Sequence, residues 1–283
     1  SVFGNIRRRA VQAGVCAVVD EEMTDLEIDL AGRFADVDDV IRSFRGRKDG
    51  SYNASFTYPE GGAIQYVEAL AKGVDHAKIA LEELVEGIDL ERRVAVTQSR
   101  EIGFESLVSS MPLPQLLAMC GVPYDPEVYS WNVVEVFNLG FDRKGPVGPH
   151  WVYFPQREIS FYRVGFYDNI FGTDRMSIYV ELGREAGFAS TEAKTAATRE
   201  RVLSDLAKVG FVDGHELVSS HHVLLDPAYV HITRDSVADA AQQQAALATR
   251  GVHSVGRYGS WTYCSIEDNI VEARALADAC NLV

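Results

Sequence analysis

The chain lacks a Gly-x-Gly-x-x-Gly turn after a strand, the cradle in which a Rossmann half-domain holds a dinucleotide pyrophosphate. It also lacks a P-loop and a Gly-x-Ser-x-Gly elbow, so neither P-loop phosphate chemistry nor α/β-hydrolase serine chemistry is indicated. Cysteine is scarce: Cys16, Cys120, Cys264 and Cys280 lie far apart, with no C-x-x-C pair. That spacing argues against a zinc ribbon or a dithiol redox motif and suits reduced, intracellular thiols. The seven histidines form no His-x-x-x-His pattern, and the adjacent His221 and His222 would face opposite sides of a strand. No metal site is expected. No apolar run reaches membrane length and no signal peptide pattern occurs, which points to a soluble cytoplasmic protein without a membrane span. Basic residues are outnumbered, 27 against 41 acidic, for a formal charge of −14. A nucleic-acid groove needs a basic stripe and is excluded, whereas one arginine in a pocket can still bind phosphate at short range.

A hydrophobic content of 47% over 283 residues is enough for one large core or two smaller ones. Spacing predicts helices over Ile6–Val15 and Val37–Phe44, then over Ala63–Gly73 after the turn Tyr58-Pro59-Glu60-Gly61-Gly62. Short strands are predicted at Lys78–Leu81, Val85–Ile88, Arg93–Thr97, Ile102–Phe104 and Leu107–Leu113, followed by a helix to Cys120. An antiparallel meander rich in aromatic and β-branched residues follows: Val133–Phe141, Trp151–Phe154, Ser160–Tyr167 and Arg175–Leu182. Thr191–Lys208 is an amphipathic helix presenting Val202, Leu203, Leu206 and Val209. A strand over Leu217–Leu225, a helix over Val237–Ala248 and a closing helix over Glu267–Cys280 complete the chain.

Three segments carry candidate chemistry. Gly61-Gly62 before a helix allows close backbone approach to a ligand, with an ordinary loop-to-helix turn as the alternative. Arg163 lies mid-strand beside Phe161 and Tyr162, and a guanidinium there must find a partner. It is either a structural ion pair or an anion clamp. Gly256-Arg257-Tyr258-Gly259-Ser260-Trp261-Thr262-Tyr263 places a cation in a glycine-rich turn ahead of a helix, and Ser265 and Asp268 have capping-box spacing.

With the Tyr-Pro-x-x-Gly-Gly turn, the helix spacing Ile64, Val67, Leu70 and the Val85…Ile88-Asp89 step, these segments resemble the UDP-galactopyranose mutases. That family sits in the wider group of FAD-dependent amine and protoporphyrinogen oxidases. The resemblance spans about Phe56 to Cys280. It implies an α/β fold: a partial FAD/NAD(P)-binding Rossmann-like domain with an antiparallel, aromatic-rich substrate-binding sheet. It implies FAD contacts at Gly61, Gly62, Val85, Gly256, Arg257 and Asp268, and UDP-sugar diphosphate contacts at Arg163, Tyr229 and Tyr263. Around Tyr229 the family's prolines are replaced by Val230 and Ile232. In such enzymes reduced flavin attacks the anomeric carbon, UDP leaves, and the sugar ring reopens and contracts; no side-chain general base is invoked.

The implied domains are a helical segment at 1–55, FAD-type pieces at 56–113 and 253–283, and a substrate-binding domain at 114–252. The missing glycine cradle leaves a truncated enzyme, one of two complementing chains, or a cofactor-free, non-catalytic relative or subunit. The start at Ser1, within what reads as mid-domain sequence, favours truncation, with self-association or a complementing chain as the expected partner. The alternative chemistry is an amine oxidase or protoporphyrinogen oxidase type of oxidoreductase, which would have no arginine aimed at phosphates. Truncation would also leave Leu107–Met111 and Gly251–Val255 with an open sheet edge.

Overall fold

The computed structural model describes residues 58–75 and 78–280; the helices expected at Ile6–Val15 and Val37–Phe44 and the segment 1–55 lie outside them. The first described elements are α1 (Ile64–Ala71), β1 (Val85–Asp89), β2 (Val94–Thr97), β3 (Glu101–Gly103), β4 (Leu107–Ser109) and α2 (Leu113–Met119). The central run is β5 (Trp131–Phe141), β6 (Trp151–Tyr153), β7 (Arg163–Phe166), α3 (Tyr167–Phe171), β8 (Ser177–Glu185) and α4 (Glu192–Lys208). Next come β9 (Leu217–Val230), α5 (Arg234–Ala248), β10 (Val252–Ser254), the single turn α6 (Gly256–Gly259) and α7 (Ile266–Ala279). The fold is mixed helix and sheet, with antiparallel pairing in two sheets and one parallel strand pair.

Contacts divide the chain into two compact units. The first runs to Gly73 and includes Val136–Leu182 and Ser190–Val223; the second comprises Val74–Glu135, Gly183–Ala189 and Leu224–Val283. The aromatic-rich sheet has the order β6-β7-β8-β5-β9, with β6–β7 and β7–β8 antiparallel.

In the first unit, Phe137, Leu139, Phe141, Val164, Phe166, Ile178 and Val180 point inward from the strands. Val202 and Leu206 of α4 are fully buried in this core, with Leu203 and Val209 packed at its margin. The helix begins where Thr191, its N-cap, accepts the Lys194 N–H. Asp205, on the same helix, is fully buried and accepts the Ser160 N–H at 3.0 Å, Arg201 Nε at 2.9 Å and Lys208 Nζ at 2.7 Å. Burial works to raise this carboxyl, but Lys208, Arg201 and Ser160 outweigh it and hold it well below the ordinary range. A carboxyl depressed on folding stabilises the protein above its unfolded value, about 3.9, and that contribution is lost as pH falls below it. Asp205→Asn is therefore expected to cost about 1–3 kcal/mol at neutral pH. It should also flatten the fall in stability below about pH 4. Urea unfolding across pH checks both, and an unchanged acid limb in the variant would contradict the assignment.

In the second unit β1, β2 and β3 form an antiparallel meander. The β1–β2 turn is closed by the Asp89 carboxylate, which accepts the Glu91 and Arg92 N–H groups at 3.0 and 2.9 Å. The run 78–81 is not a strand. Leu81 is 82% exposed and Glu82 adopts φ +58°, so the segment turns before β1 rather than pairing. β4 is shorter than its apolar run, because Pro112 and Pro114 start α2. β9 continues five residues past Leu225.

β4 and β10 pair with each other in parallel, Leu107 opposite Val252 and Ser109 opposite Ser254. No third strand joins them among the described residues, and Val108 is half exposed, as expected of an open edge. Ile88, Leu113, Leu116, Leu117, Leu247 and Val252 form the second core, which Trp261 completes.

Candidate functional site

The turn that follows β10 is built by its glycines. Val255 donates its N–H to the Ser109 carbonyl at 2.9 Å, holding the turn against the end of β4. Gly256 then takes φ +81°, a conformation that side chains with a Cβ rarely adopt. Gly259 passes so close to the strands that a Cβ would meet Ser254 Oγ at 2.9 Å and the Ser109 carbonyl at 3.2 Å. Its carbonyl accepts Ser254 Oγ at 2.9 Å and Gln244 Nε2 at 3.0 Å. Glu272 of α7 fastens the same turn, accepting the Gly256 N–H at 2.7 Å and the Ser260 hydroxyl. The segment read as a strand-to-helix turn is thus a helical turn, α6, clamped from three sides.

That clamp aims Arg257. Its guanidinium carbon lies 5.0 Å from the Tyr229 ring centroid and 4.5 Å from that of Tyr263, and the two rings stack at 6.3 Å with 22° between planes. Nε and Nη2 of Arg257 are buried and have no hydrogen-bond partner among the described residues. Two buried guanidinium donors with no acceptor among the described residues are an arrangement that suits an acceptor-rich ligand edge. Tyr229 is positioned on β9, where its N–H donates to Asn132 Oδ1 at 3.1 Å, and Tyr263 follows α6 and is half exposed. Beside them the Cys264 thiol donates to Asn269 Oδ1 at 3.3 Å, and burial pushes this thiol up against the opposing pull of Arg257.

Two residues implied as cofactor contacts hold the protein itself. Asp268 accepts the Ser265 N–H at 2.7 Å and its hydroxyl at 2.8 Å, while Ser265 accepts the Asp268 N–H, a complete capping box for α7. Those hydrogen bonds, the backbone one foremost, lower the Asp268 carboxyl. The Gly256 N–H is engaged by Glu272. Val85 opens β1 and pairs across to Thr97.

In the first unit, Arg163 begins β7 directly opposite Glu181 of β8, and the two are ion-paired. The Tyr162 hydroxyl donates to the same carboxylate, and Arg163 reaches the Tyr153 hydroxyl at 3.4 Å. The rings of Tyr153, Tyr162 and Tyr179 surround the guanidinium at 5.7 to 5.9 Å. Gly165 is required here, since a Cβ would fall 2.0 Å from the Tyr179 ring it faces across the ladder. Of the two sequence alternatives for Arg163, the ion pair is present. Glu181 is not singled out by the sequence; an opposite charge on the neighbouring strand becomes visible only once the register is known. Glu272 had no sequence signal, because it serves a turn 12 to 16 residues away. In this unit too, Gly62 takes φ +92° after Gly61, and the Gly62 N–H closes a turn on the Pro59 carbonyl at 3.0 Å.

No family model matches this sequence, and no curated protein matches it. Solved structures do. Reduced UDP-galactopyranose mutase matches with a TM-score of 0.66 and 21% identity, over 81% of this chain and 53% of that one. A protein from Exiguobacterium sp. 255-15 described as a protoporphyrinogen oxidase matches with a TM-score of 0.71 and 15% identity, over 90% of this chain and 57% of its own. The fatty acid isomerase of P. acnes that produces CLA matches at 0.56 and 14%, over 85% and 55%. The chain spans little more than half the length of these structures. The mutase-type resemblance carried by the motifs is thus matched in three dimensions, and what the chain shares with UDP-galactopyranose mutase and these relatives is the fold.

Proposed function

We propose that this chain carries the substrate sheet and the flavin-side closing turn of a flavin-dependent nucleotide-sugar mutase of the UDP-galactopyranose mutase type. The observation that carries the reading is Arg257, whose buried, unpartnered Nε and Nη2 lie against Tyr229 and Tyr263. These donors fit the acceptor-rich edge of a flavin. Gly256 and Asp268 then shape the turn rather than touch the cofactor, and 56–113 with 253–283 form the FAD-type, Rossmann-like part. The parallel β4–β10 pair supports that assignment, since parallel strands belong to α/β sheets. A glycine cradle for the pyrophosphate is not among these 283 residues, so FAD is expected to bind weakly to this chain on its own. Bound reduced flavin would supply the nucleophile for the anomeric carbon. Arg163 would neutralise the diphosphate, so that the protein's part is positioning and charge stabilisation. The expected partners are a UDP-sugar and a second chain, in the cytoplasm.

Calorimetric titration with UDP-galactose tests the substrate half. Saturable binding that weakens about 10- to 100-fold in Arg163→Ala is expected, the weight of a hydrogen bond to a charged group. Arg163→Lys keeps a cation opposite Glu181 but loses the fork, and should fall between. Binding that ignores Arg163 would overturn the reading. A second reading, an oxidoreductase of the protoporphyrinogen or amine oxidase type, draws on the TM-score of 0.71. It would leave UDP-galactose unbound.

A further inference from the structure

The guanidinium of Arg163 already holds a carboxylate of its own chain. One oxygen of Glu181 accepts Arg163 Nη2, and the other accepts the Tyr162 hydroxyl. The carboxylate therefore has a charged donor and a neutral one, on adjacent residues of the neighbouring strand. Its backbone is pinned: the Glu181 carbonyl accepts the Tyr162 N–H at 3.0 Å, and Arg163 faces Glu181 in the β7–β8 register. Any exchange of partners is confined to the side chains, whose rotamers interconvert without disturbing the ladder.

The two side chains are not equally accessible. Arg163 is 23% exposed against 9% for Glu181, so an anion arriving from solvent reaches the guanidinium first. There it competes with a resident anion that has no translational freedom to lose. Arg163 and Glu181 together carry no net charge, so a singly charged ligand would replace one carboxylate-type contact by another and gain little. A ligand with two or more negative charges gains more from the guanidinium than the carboxylate does, but only if the carboxylate withdraws, because like charges side by side repel. The Tyr162 hydroxyl gives the withdrawn carboxylate a donor, so it is not left buried without a partner.

We propose that Glu181 determines the specificity of this site: it occupies Arg163 until a multiply charged anion, such as a diphosphate, displaces it onto Tyr162. This rests on the reading of Arg163 as a diphosphate clamp.

The test is calorimetric titration of the full chain with inorganic diphosphate, dimethyl phosphate and UDP-galactose, in the wild type, Glu181→Gln and Tyr162→Phe. Glu181→Gln keeps the size of the side chain and an oxygen for Tyr162 but removes the competing charge. It should bind diphosphate and UDP-galactose about 10- to 100-fold more tightly and gain affinity for dimethyl phosphate, a monoanion that the wild type leaves unbound. Tyr162→Phe takes away the neutral donor and should weaken diphosphate binding about threefold, the weight of one neutral hydrogen bond. A carboxylate that merely braces Arg163 gives the opposite sign in Glu181→Gln, since the clamp would lose its orientation. UDP-galactose binding that needs Arg163 but is unchanged or weaker in Glu181→Gln would overturn the proposal and leave the mutase reading intact. Diphosphate binding that tightens in Glu181→Gln, in a chain that ignores UDP-galactose, would uphold the proposal and sink the mutase reading. If Glu181→Gln does not fold, a Tyr162→Phe protein with wild-type or higher diphosphate affinity overturns the proposal, and so does a failure of every variant to bind diphosphate.

Discussion

Arg257→Met is expected to raise the stability of the ligand-free chain by about 1 kcal/mol and to remove most of its affinity for flavin. Two opposing terms set the first figure. Buried donors without acceptors cost about 1–3 kcal/mol, and more when charged. Against this, a desolvated cation over Tyr229 and Tyr263 returns about 0.5–2 kcal/mol. The balance favours the apolar residue only while the site is empty, since an acceptor-rich ligand would satisfy Nε and Nη2. A residue that costs stability alone and contributes affinity with a ligand behaves as a binding residue. Thermal and urea unfolding read the first effect. A loss of more than about 2 kcal/mol in the variant would instead make Arg257 a structural residue, because only broken structural bonds reach that size.

Trp261→Ala is expected to cost about 3–5 kcal/mol, the largest stability effect of any substitution considered. Trp261 is 2% exposed and meets Tyr129 and Trp131 edge to face at 5.1 and 6.1 Å. It packs in the core that α2, α5 and β10 share, directly after the turn that aims Arg257. Its buried Nε1 makes no hydrogen bond among the described residues. Trp261→Phe therefore keeps most of the packing, discards an orphan donor, and should cost less than half as much. Urea unfolding by circular dichroism separates the two. An alanine variant within about 1 kcal/mol of wild type would mean that Trp261 does not hold this core together.

The elements legible in the sequence are those set by local periodicity. Val202, Leu203, Leu206 and Val209 read as one helix face and pack as one, and the strands over Trp131–Phe141 and Ser177–Glu185 follow their β-branched and aromatic runs. The capping box of Ser265 and Asp268 was readable because both partners lie within four residues. Ends set by tertiary contact were not readable. Thr233 and Ser236 start α5 three residues before its apolar pattern, and Tyr167 turns into α3 where a strand was expected to continue. At the site, residue types were legible but partners were not. Arg163 was visibly in need of a partner, yet Glu181 emerges only from the β7–β8 register. Gly256 and Gly259 read as a glycine-rich turn before a helix, and φ +81° and a 2.9 Å approach to Ser254 show why that turn needs them, which the sequence alone does not.

The central claim is that Arg257 is held bare for a flavin. Equilibrium titration with FAD, followed by flavin fluorescence, tests it on the wild type and on Arg257→Met side by side. The account predicts saturable binding on the order of 0.1 mM in the wild type, about −5.5 kcal/mol, weakened at least tenfold in the variant. Equal affinity in the two proteins, or no saturable binding in either, would contradict it.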